Sequence, residues 1–154
     1  MTEWLRMIGA NFDFLPHLGS LLFAYALALP IGWDREKHER SAGLRTFPLV
    51  AIASCGFVQA AEPLITGNAE ATARIVEGLI TGMGFIGGGA ILVVKDSVRG
   101  TATAASLWAT GAIGTAVGLG SLDTAIVISL VTFLTLRTLS NLKEEGDDEP
   151  GSSA

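Results

Sequence analysis

A dense cluster of charged side chains follows the first long apolar run of the sequence. Seven charged residues and one histidine lie between Asp34 and Thr46. Asp34, Arg35 and Arg45 adjoin the apolar runs on either side, where charged groups pair with one another or with helix ends. We expect an ion pair between Asp34 and Arg45 and a helix cap at Thr46. With Glu36, these residues form a candidate polar network, whereas the loop's other charges are typical of a solvated surface.

A carboxylate stands inside the third apolar run. At about 100° per residue, Glu77, Thr81, Gly84 and Gly88 lie within about 60° of one another on a helix. An ionisable side chain one turn inside a membrane span is a functional-site hypothesis by default. Glu77 and Thr81 therefore join the candidate network. The alternative for Glu77 is an ordinary surface ion pair with Arg74, three residues earlier.

Glycines on the same run recur at a spacing of four residues. Gly78 and Gly82 form one such pair, Gly84 and Gly88 form another, and Gly89 adjoins them. Small residues at this spacing let two membrane helices approach closely. We therefore expect all five glycines to lie in helix-packing contacts.

The fourth apolar run carries a second polar stripe. Its members fall within about 60° of one another on a helix, and they are Arg99, Thr103, Ser106 and Thr110. If this stripe faced the one on the third run, the two would line a hydrophilic path with Glu77 near its outer end and Arg99 and Asp34 near its inner end. The alternative is that the hydroxyls bond only to carbonyl groups of their own helix.

Few residue types are available for metal or redox chemistry. The single cysteine, Cys55, excludes an intrachain disulfide, and two histidines do not supply a typical zinc site without acidic help. Mg²⁺ prefers oxygen ligands and keeps several waters, so Asp34 or Glu77 could serve as a weak Mg²⁺ ligand. Their expected positions at opposite ends of the membrane weaken a single-site interpretation. We find no nucleophile–base pair or cofactor motif and expect neither an enzyme nor a cofactor, apart from Mg²⁺ as ligand or substrate.

The elements that position these residues are predicted to be membrane helices. The 154 residues are 49% hydrophobic and only 16% charged, include 19 glycines, and have a mean hydropathy of +0.49. This composition predicts a polytopic membrane protein, and long uncharged runs predict an all-α bundle of about five transmembrane helices. The predicted spans are Phe14–Trp33, Thr46–Ala61 with an extension over 62–65, about Ala73–Val94, a stretch within Gly100–Leu122, and about Thr124–Leu142.

The distribution of Lys and Arg predicts the orientation of the bundle. Eight of these residues fall on the side of the 34–45 loop, the 95–100 loop and the C-terminal end, against two on the other side. This asymmetry places the N-terminus outside and the C-terminus in the cytosol. We expect a transmembrane domain over 1–142 and a disordered acidic tail over 143–154. Residues 1–142 carry nine basic and ten acidic groups, which argues against nucleic-acid binding.

Four segments together resemble a known family. They read WDRE at 33–36, AGLRT at 42–46, GMGFIGGGA at 82–90 and VRGTATAASLW at 98–108. In order and spacing they are similar to motifs of the MgtC/SapB family of bacterial inner-membrane proteins. We expect a short form of that family, without the soluble C-terminal ACT-like domain of its longer members.

The resemblance implies a role in magnesium homeostasis and low-Mg²⁺ adaptation, and in some pathogens a link to virulence. It also implies membrane protein partners, including the ATP synthase. Two hypotheses follow for this multi-pass protein of the bilayer. The first is a regulatory or interaction module; the alternative is a transporter or channel for Mg²⁺ or another small solute, formed by an oligomer. A homodimer or higher homo-oligomer is expected in either case.

Overall fold

The computed structural model describes residues 14–37, 42–94 and 97–147. This part of the chain contains six helices and one short hairpin, which confirms the predicted all-α class. The elements are α1 (Phe14–Lys37), α2 (Thr46–Ala60), α3 (Glu62–Ile65), α4 (Ala69–Gly89), β1 (Leu92–Val94), β2 (Ser97–Arg99), α5 (Thr101–Gly118) and α6 (Leu122–Asp147).

Helix α5 lies at the centre of the bundle. It packs against α1, α2, α4 and α6, and α1 packs in addition against α2 and α6. The core between these helices is made of small and medium apolar side chains, which allow close approach. Its fully or nearly fully buried members include Ala24, Ala28, Ile31, Phe47, Ala51, Cys55, Leu107, Ile113, Val117 and Ala125.

Glycines of α5 set the distance to its two neighbours. A Cβ atom at Gly114 would collide with the backbone oxygen of Ala51 on α2, and one at Gly118 would lie 2.7 Å from the Cβ of Val58. On another side of α5, a Cβ atom at Gly111 would lie 2.6 Å from the Cγ of Met83 on α4. The closest helix contacts of the fold therefore depend on α5 rather than on the glycines of α4.

Helix starts and ends follow local sequence in part. Asn68 caps α4, because its side-chain oxygen accepts a hydrogen bond from the backbone N–H of Ala71 at 3.0 Å. The cap predicted at Thr46 is not made. Thr46 is the first residue of α2, and its backbone N–H donates to the carbonyl of Gly43 at 3.0 Å.

The predicted third span is too long at its C-terminal end. Helix α4 ends at Gly89, and β1 and β2 then form an antiparallel hairpin that pairs Leu92 with Arg99. Three glycines followed by a run of β-favouring side chains explain this change from helix to strand. Gly100 links the hairpin to α5 with φ of +89°, and a Cβ atom there would collide with the carbonyl of Ala90.

Among the described residues, α1 alone is both long and apolar enough to cross a membrane by length and composition, and α2 is a shorter apolar helix. The count of five spans stays a prediction. At the other end of the chain, α6 continues as helix to Asp147, past the predicted boundary at 142. Residues 148–154 of the predicted acidic tail lie outside the described residues.

Candidate functional site

Two adjacent residues at the end of α1 form a buried ion pair. Nη2 and Nε of Arg35 donate to Oδ2 of Asp34 at 2.6 and 3.1 Å. Arg35 is only 2% exposed and Asp34 only 8% exposed. Arg45, the predicted partner of Asp34, is exposed, and among the described residues no ion pair joins the two. The cost of removing both charges from water offsets most of the attraction between them. Separating the two charges would leave each one buried without this contact, so the pair favours a single arrangement.

The next residue holds the returning loop against α1. Oε2 of Glu36 accepts a hydrogen bond from the backbone N–H of Leu44 at 3.0 Å. Gly43 leaves the space for this carboxylate, since a Cβ atom there would overlap it. The loop also lies close to Gly32, where a Cβ atom would be 3.3 Å from the carbonyl oxygen of Gly43. Glu36 therefore positions the loop that leads into α2.

Glu77 lies on the exposed surface of α4. Arg74, its predicted alternative partner, bonds instead to Oε1 of Glu70 at 2.9 Å. Within the described part of the chain, no basic side chain contacts Glu77. Thr81 is exposed beside it and donates its hydroxyl to the carbonyl of Glu77 at 2.9 Å. The carboxylate thus points away from the bundle without a counter-charge in these residues.

The polar stripe on α5 is buried inside the bundle. Ser106 donates its hydroxyl to the carbonyls of Ala102 and Thr103 at 2.8 and 3.0 Å, and Thr110 donates to the carbonyl of Ser106 at 2.8 Å. These are the local bonds of the alternative interpretation. Thr103 is also buried, whereas Arg99 is exposed on β2.

The two polar stripes do not face each other within one chain. Met83 and Gly87 are the buried residues of α4. A Cβ atom at Gly87 would lie 3.4 Å from the carbonyl oxygen of Ala104 on α5. Glu77 and Thr81 lie on the other side of α4, in the exposed region. The predicted hydrophilic path between α4 and α5 is therefore not formed inside the single chain.

The glycines predicted to pack helices face open space in the single chain. A Cβ atom at any of them would meet no neighbouring atom within 4 Å, and they are Gly78, Gly82, Gly84, Gly88 and Gly89. The sequence interpretation overlooked Gly114 and Gly118, which make the close contact with α2. Their four-residue spacing is the same signal that singled out the glycines of α4.

The described residues bring no group of three His, Cys, Asp or Glu side chains together that could hold a metal ion. The carboxylate of Asp34 is engaged by Arg35, and that of Glu77 lies alone on the surface of α4. Neither arrangement resembles a complete Mg²⁺ site within one chain. Binding through one carboxylate and several waters is the form that these residues allow.

Comparisons with known proteins agree with the motifs. The MgtC family model matches residues 21–145. The protein MgtC of Salmonella typhimurium is 35% identical over 116 residues, which cover 75% of this chain and 49% of the relative. The protein MgtC of Brucella abortus is 37% identical over 107 residues, covering 70% and 44%.

A third relative is matched over more of its length. The protein SrpB of Synechococcus elongatus is 37% identical over 135 residues, covering 80% of this chain and 72% of the relative. The chain spans about half the length of the MgtC relatives it matches. No solved structure matches it. The family match over most of the chain, together with these identities, shows that the chain belongs to the MgtC family.

Proposed function

We propose that this chain is a multi-pass protein of the bacterial inner membrane that regulates or binds other membrane proteins in magnesium homeostasis and low-Mg²⁺ adaptation. Membership of the MgtC family supports the link to magnesium. The observation that carries the interaction role is the outward face of α4, defined here as Glu77, Thr81, Gly84 and Gly88.

The membrane position is supported by the surface of the bundle. Large apolar side chains cover its outside, with Leu15 77% exposed and Phe85 86% exposed. Helices α4, α5 and α6 have 21, 18 and 26 residues. At 1.5 Å per residue each spans about 27 Å or more, close to the hydrocarbon thickness of a bilayer. With α1 and the shorter α2, these helices are the five spans of the proposal.

The outward face of α4 is unsuited to contact with lipid. A carboxylate near the middle of a span costs about 2.5–3.5 kcal/mol on insertion scales when it faces hydrocarbon. Gly84 and Gly88 beside it leave the backbone uncovered, which favours a closely packed helix of another chain. A second protein surface over this face removes the carboxylate from lipid and fills the space above the glycines.

Two occupants of this face are consistent with the family. The first is a second copy of the chain, giving a homodimer or larger homo-oligomer. The second is a helix of a different membrane protein, with the ATP synthase implied by the family resemblance. Both make the chain an interaction module, and they differ in whether the purified chain self-associates.

Association is tested by filling the outward face. We expect Gly84→Leu and Gly88→Leu each to abolish self-association of the purified chain in nanodiscs, measured by mass photometry. The same variants should fail to restore low-Mg²⁺ growth to a strain that lacks the protein. Gly19→Leu is the matched control, because Gly19 also faces open space but lies on α1. Variants that stay associated and restore growth would contradict the proposal.

The alternative function is a Mg²⁺ transporter or channel formed by the oligomer. It is favoured by one observation: the carboxylate of Glu77 has no basic partner among the described residues and lies on a face that a ring of chains would enclose. Such a ring could bind hydrated Mg²⁺ through one carboxylate of each chain.

Flux measurements distinguish the two functions. Liposomes that contain the wild-type chain are loaded with a Mg²⁺-sensitive dye, beside Glu77→Gln and the exposed control Glu70→Gln. The interaction role predicts no flux above that of empty liposomes. Transport would be established instead if the wild type and Glu70→Gln both carry Mg²⁺ flux and Glu77→Gln does not.

A further inference from the structure

An apolar groove of about 500 Å³ runs between α2 and α4. Both helices pack against α5, and the groove is the space left between them. Its walls are almost entirely apolar, and they include Leu49, Ala53, Phe57, Leu79, Met83 and Ile86. This α2–α4 groove opens on the outside of the bundle, where the bilayer is proposed to lie.

Two glycines keep one wall of the groove flat. Gly78 and Gly82 lie on the α4 side, and a Cβ atom at either would meet nothing within 4 Å. On the opposite wall, Leu49 and Phe57 are 62% and 63% exposed. The space is therefore continuous and is not filled by any of the described residues.

A cation stands at one end of the groove. Arg45 lines it immediately before α2, beside Thr46. Arg45 is exposed, and among the described residues no carboxylate contacts it. In the proposed orientation this end meets the cytosolic surface of the membrane. The groove thus offers a positive charge at the interface and an apolar channel leading into the bilayer.

We propose that the α2–α4 groove binds an anionic phospholipid of the cytosolic leaflet. Its phosphate contacts the guanidinium of Arg45, and one acyl chain lies between α2 and α4. From Arg45 to Phe57 the groove is about 18 Å long at 1.5 Å per residue. This length agrees with half of a hydrocarbon core about 30 Å thick.

The dimensions favour an acyl chain over a helix. A helix about 10 Å wide and 18 Å long occupies roughly 1400 Å³, nearly three times the volume of the groove. A second groove, of about 300 Å³ between α4 and α6, is lined by no charged residue. Of these two grooves, the α2–α4 groove is the one that combines an apolar channel with a cation at its end.

Lipid retention measured by native mass spectrometry tests this proposal. The full chain in detergent is given equal amounts of phosphatidylglycerol and phosphatidylcholine. We expect the wild type to retain phosphatidylglycerol preferentially. A hydrogen bond to a charged group contributes about 1.5–3 kcal/mol, so Arg45→Gln should lower this preference by roughly tenfold or more. Arg45→Lys should keep part of it. Arg137 is an exposed arginine on α6 that does not line the groove, and Arg137→Gln should keep all of it.

The acyl chain is tested separately from the phosphate. Gly82→Leu places a side chain in the groove and should reduce retention of both lipids, whereas Gly19→Leu on α1 should not. Gly84 does not line the groove, so Gly84→Leu should retain lipid even where it abolishes association. Gly84→Leu therefore tests the proposed association, and Gly82→Leu tests lipid binding, so the two proposals can fail independently.

Three results would overturn the proposal. One is equal retention of the two lipids by the wild type. The second is a lipid preference that Arg45→Gln and Arg137→Gln leave equally intact. The third is a Gly82→Leu variant that loses self-association but retains lipid as the wild type does, which would assign the groove to a partner helix.

Discussion

The side chains of Asp34 and Arg35 are buried charges that contact each other at the end of α1. Each charge costs several kcal/mol when it leaves water, and the bonds of 2.6 and 3.1 Å between them offset part of this cost. The pair therefore adds little net stability as a whole. Its physical effect is that removal of one member destabilises the fold, so the pair holds the end of α1 in place where the loop begins.

Replacing one member of this pair should strongly destabilise the fold. Asp34→Asn removes the negative charge that Arg35 contacts, and we expect it to lower the free energy of unfolding by about 3–5 kcal/mol. Glu70→Gln is the control, because Glu70 pairs with Arg74 where both side chains are more than 70% exposed. That change should cost less than about 1 kcal/mol. Unfolding in detergent followed by circular dichroism measures both, and similar small losses would contradict the role of the buried pair.

Single side chains show what sequence spacing determines and what it leaves open. Spacing placed Ser106 and Thr110 on one face of a helix, and both hydroxyls bond locally as one of the two interpretations expected. It did not decide the partner of Arg74, because acids lie both four residues before it and three residues after it. The side chain bonds to Glu70, and Glu77 is left on the surface.

Helix α5 determines how closely its neighbours pack. Gly114→Ala should lower the free energy of unfolding by about 1–3 kcal/mol, because the new Cβ atom would force α2 away from α5. Gly56→Ala on α2 is the matched control, since its Cβ atom would lie 3.9 Å from the nearest side-chain atom. Removal of a helix glycine there should be neutral or stabilising by up to about 1 kcal/mol. Thermal unfolding of the two variants under one detergent condition compares them, and equal melting temperatures would refute the close contact.

The positions of most helices along the sequence were predictable, whereas the packing partners of each helix were not. Long uncharged apolar runs located α1, α2, α5 and α6 to within a few residues at most of their ends. The β1–β2 hairpin was missed because a run of apolar residues near a span end reads equally as helix or strand. The five glycines of α4 make no close helix contact within the described chain, since small-residue spacing marks a surface for close approach but does not name the helix or the chain that approaches.

Across the whole molecule, the proposed function depends on which ends of the helices share a side of the membrane. The α1–α2 loop and the β1–β2 hairpin carry most of the loop cations, and the turn before α4 lies at the opposite end of these helices. A positive-inside bias over short loops sets such an orientation. In the proposed orientation, the buried Asp34–Arg35 pair, Arg45 and the hairpin all lie at the cytosolic surface.

This orientation predicts which introduced cysteines are accessible from outside the cell. In a Cys55→Ala background, Asn68→Cys before α4 should react in intact spheroplasts with a maleimide that does not cross membranes. Ser97→Cys in β2 should react only after the membrane is permeabilised. Both positions are exposed, so a difference between them reports the side of the membrane rather than burial. Labelling of both cysteines from outside would show that α4 does not cross the membrane. The argument that another protein must shield the outward face of α4 from lipid would then fail as well.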